Sequence, residues 1–422
     1  MIKIGIVCSE YFGKINNNKP TNSHGGFGFL TRKKAEAYTK MGYEVHVFVP
    51  RYSYDGKNIL STNLELNDVH IHFFPTVHND YSNSRIFRFT GTKLNSIIGP
   101  PIFNFFVKKY DIDVFQIEDP FLPAMPIIVG LKHITVFQDP FDSIDEEVMK
   151  IAWKDYLYGD INNSQFVTEV QLRKRLPNKQ YYLVGNSGTN RLLKIAVQKE
   201  SRDTVYSEAN FIAKKTKAIY NLDFEPKVLL NPIDVNNLNT KRKTERPSVV
   251  FLARWDSQKR PDIALKIAKE MPQFEFYFIG RASELKEYLI RQEQLIKVYK
   301  KYKNIHILDF IDEKEKQLLL QKSWILLNTS VREGLPISFL EAGANGMAIV
   351  SSVNPDSYTS KFGIFVEDGK IDSFKNAINQ LIKTEGCFEL GKKAYRFMLK
   401  NHKTEVVIKK HLDILNKIYR QD

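Results

Sequence analysis

Short apolar runs that recur between longer helical stretches limit what this chain can fold into more than any other feature. Residues 2–7, 45–49, 114–117 and 134–137, and later 249–252, 274–280 and 324–327, are mostly apolar along their whole length, whereas 69–74 alternate. Unbroken apolar runs of that size suit strands covered on both faces, which belong to parallel sheets flanked by helices. Helical stretches separate them. Phe29, Leu30, Lys33, Ala37 and Met41 form one pattern, halted by Gly42. Pro261 opens another that runs to Met271, and residues 283–301 place Leu285, Leu289, Ile296 and Tyr299 on one stripe. Strand, crossover helix and parallel strand together begin a doubly wound α/β domain. A chain of 422 residues exceeds one such core, so two domains are expected. Residues 1–230 form the first, 231–247 a polar connector, 248–402 the second, and 403–422 a helical end.

Composition narrows the class. Hydrophobic residues make up 43% and aromatics 12%, which suits a packed globular protein. No apolar run approaches the ~18 residues of a membrane span, and the strand-like start is too short for a signal peptide, so a cytoplasmic protein is expected. Cys8 and Cys387 stand far apart without metal-ligand spacing, which fits a reducing compartment. The 62 Lys and Arg against 48 Asp and Glu leave +14, a surplus that attracts nucleotides or acidic lipid headgroups. No arginine-rich tail or zinc-finger spacing speaks for nucleic acid. Residues 95–109, apolar and aromatic with a basic end, read as the helix before strand 114–117, with an element dipping into a membrane surface as the alternative. His70 and His72 share a strand face without a third ligand nearby, and Asp111 and Asp113 precede a strand instead of following one, so no metal site is expected. Thr31 stands at the third position of a dinucleotide-type glycine pattern and no acid ends the second strand, which argues against a nicotinamide cofactor.

The chemistry concentrates in residues 330–346. Glu333 falls in the loop after strand 324–327, opened by Gly334. Pro336 suits the first turn of a helix that runs to about Ala344 and is ended by Gly346. Glu341 lies on that helix, eight residues beyond Glu333. Free N–H groups at the helix start make an anion site at the carboxyl edge of a sheet. Arg254 at the end of strand 249–252 and Lys259 at the start of the next helix flank a second loop. Cations and a helix start for phosphates, with carboxylates for hydroxyls, describe a site for a sugar joined to a nucleotide.

This stretch resembles the paired-glutamate motif of the retaining family-4 glycosyltransferases, which are glycogen-synthase-like and have the GT-B fold. The resemblance implies an α/β protein of two Rossmann-like doubly wound domains facing across a cleft, acceptor on the first and donor on the second. It implies retaining transfer from a nucleotide-diphosphate sugar, the donor substrate, to an acceptor hydroxyl, with no cofactor and no metal required. Arg254 and Lys259, in an Arg-x4-Lys spacing, would hold the diphosphate, and Gly334, Leu335, Pro336 and Ile337 would border it at the helix start. Glu333 would bind the donor sugar hydroxyls or act as a nucleophile, and Glu341 would bind the ribose. Gly25 and Gly26 match the family's loop beside the donor phosphates, and Phe310 lies by the base, next to Asp309 where relatives carry glycine. Gln138 occupies the position of a histidine that reaches the donor. The last helix would cross back onto the first domain. The acceptor is a glycan, a lipid-linked sugar or a small molecule, with peripheral contact on the inner face of an anionic membrane as a further expectation. A sugar phosphorylase, a nucleotide-sugar epimerase, or a catalytically silent protein that binds sugar nucleotides or a membrane surface are the alternatives.

Overall fold

The structure is a computed structural model that describes residues 2–8, 11, 15–16, 19–20, 26–50, 63–74, 101, 103–105, 107–118, 130–160, 166–177, 187–236, 238, 243–283, 285–309 and 311–421. The chain divides into two units, Met1–Pro140 with Tyr182–Pro232 and Thr404–Asp422, and Phe141–Tyr181 with Ile233–Lys403.

The first unit is built on β1 (Lys3–Val7), β4 (Glu44–Pro50), β5 (Asn63–Leu66), β6 (Val69–Phe74), β7 (Val114–Ile117), β8 (His133–Phe137), β9 (Val205–Ser207) and β10 (Lys227–Val228). A small antiparallel pair, β2 (Ile15–Asn16) and β3 (Lys19–Pro20), stands apart from this sheet. The strand order is β10-β9-β8-β7-β1-β4-β6-β5, parallel throughout except for β5 against β6. β1 pairs on both edges, Ile4 with Val45 of β4 and with Val114 of β7, and the apolar residues of these strands are buried as their composition requires.

The Gly26–Lys40 helix crosses from β1 to β4, yet it buries Leu30, Thr31, Lys34, Ala35 and Tyr38 instead of the expected Phe29, Leu30, Lys33, Ala37 and Met41. The face is rotated because Lys34 counts as surface in any apolar periodicity but is an internal cation here, paired with Glu118. The Thr404–Tyr419 helix packs on this helix and on β7, adding Ile408, Leu412, Leu415 and Ile418 to the core. His70 and His72 are joined by His46 of the neighbouring strand. His46 Nδ1 lies 2.8 Å from His72 Nε2, and the His72 ring stacks 3.9 Å from that of Tyr110. These rings pack against one another, and no group of three or more His, Cys, Asp or Glu among the described residues is arranged to hold a metal.

The second unit carries β11 (Ser248–Leu252), β12 (Glu275–Ile279), β13 (Ile305–Leu308), β14 (Ile325–Asn328), β15 (Ala348–Ser351) and β16 (Gly363–Phe365), in the order β13-β12-β11-β14-β15-β16 and all parallel. Residues 141–181, grouped by their position in sequence with the N-terminal domain, fold with this unit. Their helix Ser143–Tyr158 begins with a capping box in which Asp142 accepts from the Asp145 N–H and Asp145 from the Asp142 N–H. Thr168 and Gln171 repeat the device at the Glu169–Arg175 helix.

The Lys286–Tyr299 helix buries Tyr288, Arg291, Gln292, Leu295 and Tyr299. Leu285 and Leu289, expected on the stripe, are 56% and 42% exposed. Arg291 again shifts the face: its guanidinium lies over the Tyr156 ring and donates to the Gly159 carbonyl. No helix among the described residues is long and apolar enough to cross a membrane.

Candidate active site

In the second sheet the chain leaves β11 towards β12 and β13, and leaves the adjacent β14 towards β15 and β16. Open parallel sheets bind ligands beyond the carboxyl ends of the strands at such a reversal. The two loops that follow β11 and β14 carry Arg254, Lys259 and Glu333.

The first loop is wound by its own polar groups. The Asp256 carboxylate accepts the N–H groups of Gln258 and Lys259, both at 3.0 Å. Arg260 then takes a left-handed φ of +52° immediately before Pro261, the first helical residue. Such a conformation costs a non-glycine residue about 1–3 kcal/mol, and ion pairs of its guanidinium with Asp262 at 2.9 Å and Asp155 at 2.7 Å hold it there. Gly280 ends β12 so close to this loop that a Cβ would lie 2.1 Å from the Ala253 carbonyl oxygen.

The second loop is tied to the first. Thr329 Oγ1 reaches the carbonyls of Lys259 and Arg260 at 3.0 and 2.9 Å, the Val331 N–H donates to the Gln258 carbonyl, and the Gln258 amide donates to the Arg332 carbonyl. This stitching brings Lys259 Nζ to 2.6 Å from both oxygens of Glu333. Ser330 Oγ donates to Glu333 Oε1 at 2.5 Å, with Asn328 Nδ2 further off at 3.4 Å. Burial pushes the Glu333 carboxyl up, but the Lys259 charge and these hydrogen bonds outweigh it and hold the pKa below the ordinary 4.5. Arg254 is different: 46% exposed along its side chain, it rests 3.3 Å from Asp256 and reaches solvent.

The helix after Glu333 runs Ile337–Ala344, with Pro336 as N-cap, no side-chain cap and no acidic residue in its first turn. The opening N–H groups of a helix have no partner within it and carry the positive end of its dipole. Gly334, Leu335, Pro336 and Ile337 therefore lead from the carboxylate to that end. Gly346, at φ +63°, follows the helix as expected. Glu341 is buried on it, and its Oε1 lies 2.7 Å from Lys316 Nζ. Lys316 also meets Glu313 at 2.8 Å. Burial would lower the Lys316 pKa, but the two carboxylates raise it overall.

Sequence reasoning missed the groups that hold Glu333 and Glu341 in place. Arg332 Nε donates to the fully buried Asp145 at 3.0 Å, its guanidinium lies 4.9 Å from the Phe141 ring centre, and the Glu169 N–H donates to the Val331 carbonyl. No local pattern announces a partner 187 residues away. Ser330 and Asn328 were within reach, since polar residues that close a buried strand next to a glutamate are natural donors to it.

Of the other expected residues, Gly26 begins the first helix of the first unit and is exposed, and Gln138 directly follows β8. Gly25 and Phe310 lie outside the described residues. Asp309 is exposed, and its carbonyl accepts the Gly280 N–H.

The two domains match in fold those of solved GT-B glycosyltransferases. Over 99% of both chains it superposes on sucrose-phosphate synthase from Thermosynechococcus elongatus with a TM-score of 0.69 at 12% identity. Anabaena Alr3699/HepE, solved in complex with UDP-glucose, gives 0.64 at 14% identity over 99% of this chain and 100% of that one. Residues 235–417 match the family model Glycosyl transferases group 1. In sequence the chain is 26% identical over 178 residues to the poly(glycerol-phosphate) alpha-glucosyltransferase of Bacillus subtilis (strain 168), 39% of this chain and 25% of that protein. The match thus spans a quarter of that relative's length.

Proposed function

We propose that the chain is a retaining glycosyltransferase of family-4 type, moving a sugar from a nucleotide-diphosphate sugar to an acceptor hydroxyl without a metal. The observation that carries this function is the Lys259–Glu333 contact at the reversal of the second sheet, inside the group 1 domain. Lysine has three N–H donors. Two face Glu333, and the third serves a phosphate oxygen beside Arg254 and the Ile337–Ala344 helix start. Glu333 Oε1 already accepts from three groups and Oε2 from one, so Oε2 is the atom left for a sugar hydroxyl. Glu341, in contact with Lys316 at 2.7 Å, takes the ribose.

During transfer the acceptor oxygen attacks the anomeric carbon from the face the leaving group vacates. The bond from that carbon to the phosphate oxygen breaks with its electron pair on the diphosphate, and the departing phosphate takes the acceptor proton. Arg254, Lys259 and the helix N–H groups meet the developing negative charge, the task a divalent cation performs elsewhere. Sugar nucleotides stabilise the protein accordingly. At 100 times its dissociation constant the right donor adds about 2.7 kcal/mol, which a thermal-shift series with UDP-, GDP- and ADP-sugars reads. Release of free nucleoside diphosphate persists in EDTA. Loss of release on chelation, restored by a divalent ion, would overturn metal independence, and dependence on inorganic phosphate would turn the reaction into phosphorolysis. The relative's acceptor is a glycerol-phosphate polymer by its name, and a +14 chain suits an anionic acceptor of that kind.

Arg332 fixes the glutamate loop from behind. Arg332→Met lowers turnover about 10- to 100-fold, the effect of a displacement near 1 Å at the reacting centre. Adding Asp145→Asn costs little more turnover, because the two reach the loop through one contact, while the amide oxygen can still accept the Asp142 N–H of the capping box. Additive losses in a double-mutant cycle would show that the pair does not work through the loop.

A further inference from the structure

Glu341 sits where a carboxylate is costly. Every residue from Phe339 to Ala344 is buried, and Glu341 itself is 5% exposed on the second turn of that helix. Its charge is met from the helix Glu313–Lys322, which carries the chain from β13 to β14. Asp312 caps that helix by accepting the Glu315 N–H at 2.8 Å. One turn in, Lys316 Nζ stands 2.7 Å from Glu341 Oε1 and 2.8 Å from Glu313 Oε2. Its neighbour repeats the tie. The Gln317 amide nitrogen donates to Glu313 Oε1 at 2.9 Å, while Asn345 Nδ2 donates to Gln317 Oε1 at 3.1 Å and to the Glu341 carbonyl at 2.9 Å. The two helices are thus clasped at both ends of one turn, through Glu341 and through Asn345.

Stability alone does not account for this arrangement. A buried ion pair seldom outweighs the cost of desolvating its two charges, and apolar residues of similar volume would pack between the helices without that cost. What the pair supplies is direction. A glutamate side chain turns about several bonds, but with Oε1 held by Lys316 its carboxylate is aimed before anything binds. A group ordered in advance loses no conformational freedom when a ligand arrives.

We propose that Lys316 is a positioning residue for the nucleotide: it sets Glu341 in the orientation that accepts a hydrogen bond from a ribose hydroxyl, and so gives the site a preference for a ribonucleotide over its deoxy forms. The ribose at Glu341 rests on the transferase function above; the clasp that aims the carboxylate does not. The diphosphate is negative and is repelled by Glu341, whereas a ribose hydroxyl offers it a hydrogen. Lys316, Glu313, Gln317, Glu341 and Asn345 all belong to the second unit, so the preference is complete within it.

Isothermal titration calorimetry with UDP, GDP and ADP, each beside its 2′-deoxy and 3′-deoxy forms, reads that preference. The wild-type protein binds one of these diphosphates about 10-fold or more tighter than at least one of its deoxy forms, the loss expected when a hydrogen bond to a charged group is removed. In Lys316→Met the parent diphosphate falls to the level of that deoxy form, while the deoxy form binds as it does to wild type. Glu341→Ala shows the same collapse, and adding Lys316→Met to it changes nothing further, because Lys316 acts only through that carboxylate. Where Lys316→Met alone does not fold, Lys316→Gln takes its place: one atom shorter, it opens the contact and leaves room for a water on the carboxylate, and the preference collapses likewise. Equal losses for parent and deoxy forms, or an undiminished preference, overturn the positioning role while the ribose at Glu341 stands. A wild type that binds the diphosphates without preference removes the ribose from Glu341 and overturns the proposal at its base. One that binds none of them overturns the transferase function as well.

Discussion

Lys34→Met destabilises the first unit by about 3–5 kcal/mol, the cost of leaving a buried charge without its partner. Lys34 and Glu118 have no side-chain exposure, so water cannot replace the lost ammonium. Lys34→Met with Glu118→Leu recovers most of the loss, because an apolar pair of similar volume avoids the desolvation penalty altogether. Urea denaturation of the three variants measures both steps. A single-variant cost below about 1 kcal/mol would be that of an exposed pair and would contradict the burial. The pH dependence has a definite sign. Glu118 is held below the ordinary 4.5 in the folded protein, so its contribution is complete above that value and is lost as pH falls through the folded pKa. In Lys34→Met the lone carboxyl moves up instead, and the variant's disadvantage narrows in acid.

That pair also marks where the sequence stopped being readable. The apolar runs located the strands to within a residue or so, because strands buried on both faces have little freedom in composition: 249–252 became Ser248–Leu252, and 114–117 is Val114–Ile117. The helix faces were read less well, and for one reason. Lys34 and Arg291 lie on buried faces, and a periodicity that assigns every cation to solvent rotates both helices. In the site, Glu333, Lys259 and the helix at Ile337–Ala344 were legible because glycine, proline and charge sit at offsets that one loop imposes. Asp145, Lys316 and Glu118 were not, since each is defined by a partner distant in sequence: Arg332, Glu341 and Lys34. The grouping of residues 141–181 with the second unit belongs to the same class, because the chain leaves and re-enters a unit without any change of composition.

Lys259→Ala lowers the release of nucleoside diphosphate from the donor that stabilises the protein about 100-fold or more, the usual loss when one preorganised donor to a developing negative charge is removed. In the proposed function Lys259 has two duties, however, and the variant removes both. One is the charge near the diphosphate. The other is the pair of contacts at 2.6 Å that keeps Glu333 ionised. They separate by pH. With Lys259 present, Glu333 titrates below 4.5, so its protonation leaves no mark on the rate near neutrality. Without it, burial governs and the carboxyl moves up, so the residual activity of Lys259→Ala gains an acidic limb at a pH where wild type is level. A uniform loss at all pH values assigns the whole effect to the phosphate. Arg254→Ala, whose side chain is half exposed and does not touch Glu333, shows the rate loss without the new acidic limb. Glu333→Ala tests the remaining role: azide that restores turnover as a glycosyl azide makes Glu333 a nucleophile, whereas no azide product leaves it gripping the sugar hydroxyls. Near-wild-type turnover in both Lys259→Ala and Arg254→Ala would remove the diphosphate from the β11 loop, and the metal-free mechanism would lose its source of positive charge.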